Sequence, residues 1–149
     1  MEKINVKAFS DNCGKNNGDK REFALCAHYG IIRTKHDREP YDKHSDIELG
    51  EVNISVKSSG ASLISGGLSK GCKTFEGIWR RFYKQTHSNT FAYVSNDFTA
   101  YVMDKKEFSK FVHAFAYLDR ESSQNGGLIK IKFRNESGKM IAWLEERAA

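Results

Sequence analysis

One proline, three cysteines and no long apolar run mark out what this 149-residue chain is not. Cys13, Cys26 and Cys72 are an odd set without paired spacing, which argues against a disulfide framework and fits a reducing compartment. No second Cys or His pair stands at zinc spacing from Cys26 and His28, so Cys26 reads as a core thiol. The N-terminal residues Met1 to Lys7 hold no run of signal-peptide length, and no window approaches a membrane span. The expectation is a cytoplasmic protein without a membrane partner. Nucleophile-elbow, phosphate-loop and dinucleotide fingerprints are all missing, as are internal repeats.

What is present is ordinary globular material, 39% hydrophobic and 29% charged, of a length that forms one domain over residues 1–149. The net charge of +5 points toward a polyanionic partner, nucleic acid first. Residues 1–18 end in an Asn/Gly-rich stretch and read as irregular. Asp19 caps a first helix that ends at Gly30 and carries Glu22 in its first turn. The polar segment Arg33 to His44, with Pro40, reads as irregular.

Downstream, Ala61 to Ser65 reads as a short extended piece and Lys73 to Thr86 as a helix, with Phe75, Ile78, Trp79 and Phe82 on one side. Strands follow at Thr90 to Val94 and Thr99 to Met103, then a helix capped by Asp104. A closing hairpin is expected from Leu128 to Phe133 and Met140 to Leu144, turned at Glu136-Ser137-Gly138. The fold class is α+β, a central mixed sheet flanked by helices.

The densest signal lies in Asp46 to Lys57, where apolar and polar residues alternate on both sides of Gly50-Glu51. Glycine first in a two-residue turn suits a type II′ hairpin, with Leu49 facing Val52, Ile47 facing Ile54 and Asp46 across from Ser55. Ile47, Leu49, Val52, Ile54 and Val56 then share one face; Asp46, Glu48, Asn53, Ser55 and Lys57 share the other.

A helix bearing Glu22, a strand bearing Asp46, and an adjacent strand with Ser55-Val56-Lys57 in the place of a Glu-x-Lys motif resemble the core of the PD-(D/E)XK nuclease superfamily, the class of many restriction enzymes. The resemblance covers residues 19–95. It implies a restriction-endonuclease-like αβββαβ core, with 96–149 as a C-terminal extension of helix and hairpin. It also implies Mg²⁺ or Mn²⁺ as cofactor, DNA as substrate, endonucleolytic hydrolysis of phosphodiester bonds, and a homodimer as a common assembly. Two positions depart from the pattern: Ser55 replaces the metal-binding glutamate, and Ser45 replaces the proline before the aspartate.

Glu48 shares a face with Asp46 and lies diagonal to Ser55, so its longer side chain can reach toward the vacated position. The expected catalytic set is therefore Asp46, Glu48, Ser55 and Lys57, and the expected metal ligands are Asp46, Glu48 and Glu22. Lys57 would orient or deprotonate the attacking water, or stabilise charge on the phosphate. An amphipathic hairpin with a solvated face accounts for the same residues, and a glutamate in a first helical turn suits the helix dipole whatever the function.

For backbone phosphates the candidates are Lys70, Lys73, Arg80, Arg81 and Lys84, with Tyr83 as a base-stacking side chain. Two other functions fit the same chain. One is a nucleic-acid-binding or regulatory protein that kept the scaffold and lost the metal site; the other is a phage or mobile-element factor with a protein partner.

Overall fold

The computed structural model describes residues 1–10, 17–31, 46–60, 63, 69–120 and 129–149. Its centre is a five-stranded mixed sheet in the order β1-β5-β4-β3-β2, built from β1 (Glu2–Asn5), β2 (Ile47–Leu49), β3 (Val52–Lys57), β4 (Thr90–Val94) and β5 (Thr99–Asp104). All neighbours are antiparallel except β3 and β4, which run parallel. Parallel neighbours need a crossover, and α2 (Phe75–Gln85) lies in the one between them.

Alternation along the strands sends apolar residues to both faces, so each face carries its own core. One face packs Ile47, Ile54, Ala92, Val94 and Ala100 against Ala24, Leu25 and Cys26 of α1 (Asn17–His28). The other packs Phe91, Tyr93, Tyr101 and Met103 under α2 and α3 (Lys105–Phe115). Phe91 and Phe108 stack there with centroids 4.1 Å apart and planes 3° from parallel. Burying a side chain of that size stabilises by roughly 1.5–3 kcal/mol.

Local chemistry sets the helix starts. Thr74 accepts the Gly77 N–H at 3.1 Å to begin α2, and a Cβ at Gly77 would fall 2.2 Å from Cys72 Sγ and 2.9 Å from Thr74 Oγ1, so a larger residue there would have to displace the Cys72 thiol and the capping hydroxyl. Asp104 and Glu107 form a reciprocal capping box at the start of α3.

The C-terminal third differs from the expected hairpin. β7 (Lys130–Phe133) pairs with β6 (Ala116–Asp119) in a separate two-stranded sheet, while Gly138–Ala148 is a helix, α4. Ser137 caps it through the Met140 N–H, and Met140 and Leu144 stand one helical turn apart, both buried in the aromatic core. That i, i+4 spacing serves a helix here, and tertiary burial decides between it and the strand period.

The N-terminal segment also differs: Glu2–Asn5 is an edge strand on β5, and Lys7–Phe9 a single 3₁₀ turn. Of the piece expected at 61–65 only Leu63 is described; it is buried and donates to the Ile131 carbonyl at 2.9 Å. The segment expected to be irregular at 33–44 lies outside the described residues, as do residues 11–16 of the N-terminal one, whose residues 17 and 18 belong to α1.

Candidate site at the hairpin edge

The β2–β3 hairpin has the expected register: Ile47 pairs with Ile54, Glu48 with Asn53 and Leu49 with Val52. Gly50 takes φ +61°, and Phe98 is the only described non-glycine residue with positive φ, so Glu51 does not share the left-handed region. One positive φ at the first turn residue is the type II′ arrangement.

Continuing the register sets Asp46 opposite Ser55. β2 stops at Ile47, and the Val56 N–H, which would otherwise lack a ladder partner, donates to Asp46 Oδ2 at 2.8 Å. The half-buried carboxylate is thereby seated against the β3 backbone between Ser55 and Lys57.

Ser55 and Lys57 are half-buried and stand beside Phe91 and Tyr93 of β4 in the parallel ladder. Paired residues share a face, so both belong to the side covered by α2 and α3. Asp46 and Lys57 are thus brought to the same end of β3.

Glu48 is drawn elsewhere. It is exposed, and its Oε1 lies 3.3 Å from His87 Nε2 in the loop between α2 and β4. That loop is tied to the hairpin turn: Asn89 Nδ2 donates to the Glu51 carbonyl at 2.6 Å, and Asn53 N–H donates to Asn89 Oδ1 at 2.9 Å. Asn53, opposite Glu48, precedes Lys57 by four residues, roughly 13 Å along a strand. Glu22 is buried, 4% exposed, in α1, which covers the opposite face of the sheet from Ser55 and Lys57. Among the described residues no three His, Cys, Asp or Glu side chains form a group suited to a metal ion.

A second polar cluster, not anticipated from sequence, sits where β3 and β4 end. The buried Tyr93 hydroxyl donates to Glu136 Oε2 at 3.0 Å, and the Asn96 N–H donates to the same oxygen at 3.2 Å. The Glu136 N–H donates in turn to Ser59 Oγ at 2.8 Å, and Arg21 of α1 reaches Asn96 Oδ1 at 2.7 Å. Burial first, then the Glu136 carboxylate, pushes the Tyr93 phenol well above its ordinary range. These residues come from separated segments, so no local pattern signals them. The carboxyl ends of parallel strands are where open sheets commonly receive ligands.

The five candidate phosphate-binding cations divide. Arg80 and Lys84 are exposed and line a pocket with Trp79, Tyr83 and Ser109. The Arg81 guanidinium donates to the Lys70 carbonyl at 2.5 Å and so braces the loop before α2. Lys70 and Lys73 are exposed in that loop, with the Lys73 carbonyl accepting from Arg120 at 3.4 Å.

No helix among the described residues is long and apolar enough to cross a membrane. No family model, curated protein or solved structure matches the chain.

Proposed function

We propose that this protein is a metal-dependent endonuclease acting on DNA, with a divergent PD-(D/E)XK site at the carboxyl end of β3. The observation that carries the reading is the seating of Asp46 on the Val56 N–H, opposite Ser55 and beside Lys57, in a β3–α2–β4 unit with parallel strands. The basic balance of the chain favours the same substrate.

Asp46 offers one carboxylate, so a Mg²⁺ ion held there would complete its shell with water and phosphate oxygens. Asp46 is the carboxylate that would hold the ion; Glu22, expected as a second ligand, lies across the sheet from Lys57 and does not reach it. Glu48 is better placed for His87. A bound divalent cation supplies charge neutralisation at the phosphate and acidifies water. The chain's own work is positional: the β3 backbone holds Asp46 in place, and Lys57 Nζ orients the attacking water or donates to a phosphate oxygen as charge develops. The Ser55 hydroxyl can accept from that water or donate to the phosphate. A homodimer would present two such edges to two strands.

Purified protein incubated with supercoiled, linear and branched DNA, in Mg²⁺, Mn²⁺ or chelator, is expected to cut only with metal, and Lys57→Ala is expected to abolish cutting with the fold intact. Cutting by Lys57→Ala at the wild-type rate would end the proposal. A salt-dependent gel shift without cutting under any metal would instead favour a binding protein on this scaffold, a reading that Ser55 and the diversion of Glu48 to His87 support.

A further inference from the structure

We infer that the pocket between α2 and α3 receives one unpaired nucleotide of the DNA, its base against Tyr83 and its phosphate on Arg80 and Lys84. The inference rests on the DNA reading above and adds a place where an unstacked base is held. The pocket has a volume of about 360 Å³ and is lined by Trp79, Arg80, Tyr83, Lys84 and Ser109. Tyr83 supplies its exposed aromatic surface and Arg80 and Lys84 a cationic rim, and among the described residues no carboxylate lines it.

The carboxylates within the two helices are engaged in ion pairs or a cap. Glu76 lies 2.7 Å from His113 Nε2, and Glu107 belongs to the α3 capping box and lies 3.1 Å from the N-terminal ammonium. The charged side chains that line the pocket, Arg80 and Lys84, are both cations, which suits a phosphate.

The aromatic surface is held ready. Tyr83 is 37% exposed, with its ring centroid 6.0 Å from that of Trp79. Lys105 reaches from α3 to donate to the Tyr83 carbonyl at 2.7 Å, and its ammonium stands over one face of the ring, 4.3 Å from the centroid, fixing its orientation. Trp79 is itself anchored, its indole N–H donating to Ser109 Oγ at 3.2 Å. With that lone pair used, the Ser109 hydroxyl can still donate its proton to an acceptor on a base edge. Aromatic stacking needs a base outside the duplex stack, because a paired base has both faces covered. The pocket also lies on the side of the sheet that carries Ser55 and Lys57.

Binding is measured with the full chain in chelator by fluorescence anisotropy, on a labelled 20-mer duplex and on the same duplex carrying a single unpaired thymidine. The unpaired site is expected to bind about tenfold more tightly, the size of one stacking contact. Tyr83→Leu is expected to erase the preference and Tyr83→Phe to keep it, with circular dichroism confirming the fold of each. Equal affinity of the wild type for the two duplexes, a preference that survives in Tyr83→Leu, or saturable binding of an acidic peptide with none of DNA overturns the inference. Failure of the nuclease reading alone looks different: the preference stands, and no DNA is cut in metal.

Discussion

The Asp46 carboxylate takes the place of a backbone acceptor for Val56, 2.8 Å from its N–H, and so closes the edge where β2 ends and β3 continues. One side chain therefore serves the strand edge and is the carboxylate on which the proposed metal site rests.

These two duties separate by substitution. Asp46→Ala removes the acceptor of a charge-assisted bond and is expected to cost about 1–2 kcal/mol in urea unfolding, whereas Asp46→Asn keeps an oxygen and is expected to cost under about 1 kcal/mol. Both variants are expected to lose metal-dependent cutting. Wild-type nicking of supercoiled DNA by Asp46→Asn would confine the residue to the strand edge.

Ser55 offers a gain-of-function test. Ser55→Glu places a carboxylate across from Asp46, where like charges facing each other destabilise the metal-free protein by up to about 1 kcal/mol. Cutting is expected to rise at least tenfold at limiting Mg²⁺, and Mg²⁺ is expected to restore the melting temperature. A cutting rate and a melting temperature that ignore Mg²⁺ would show that position 55 does not face a metal.

Alkaline stability tests the two buried phenols. Burial and the carboxylates of Glu136 and Glu145 raise the Tyr93 and Tyr101 hydroxyls above the ordinary tyrosine value. A group raised in the folded state contributes fully below its unfolded pKa, near 10, and loses that contribution as pH climbs toward the folded value, because the unfolded chain releases its protons first. Stability is thus expected to fall steeply above about pH 10. Tyr93→Phe with Tyr101→Phe, less stable at neutral pH, is expected to show a shallower alkaline fall; equal slopes in chemical denaturation from pH 9 to 11 would contradict the assignment.

The terminal helix is open to a similar check. Ser137→Ala is expected to cost about 1 kcal/mol through loss of the α4 cap, and Met140→Ala about 2–5 kcal/mol through the cavity left under α4. A Met140→Ala protein with unchanged urea midpoint would place that side chain outside the core.

Much of the fold is legible where a local rule and burial agree. The hairpin register follows from alternation around Gly50, and the starts of α2 and α3 follow from Thr74 and Asp104, whose side chains bind N–H groups three residues on. The last segment was not legible, since Met140 and Leu144 fit either a strand or a helix until the core they enter is known. Glu2–Asn5 lacks a strong alternating signal and becomes a strand because β5 has an edge to pair.

The candidate site divides along the same line. Alternation alone determined that Asp46, Glu48, Ser55 and Lys57 share one face of a hairpin, because side-chain direction in a strand is a local property with period two. Tertiary structure decided what each carboxylate does with that position: Asp46 bonds the β3 backbone, Glu48 turns to His87, Glu22 lies in the helix on the opposite face, and Glu136 arrives from a distant segment to meet Tyr93. Such partnerships depend on where separate elements dock, and docking is set by the packing of the two cores.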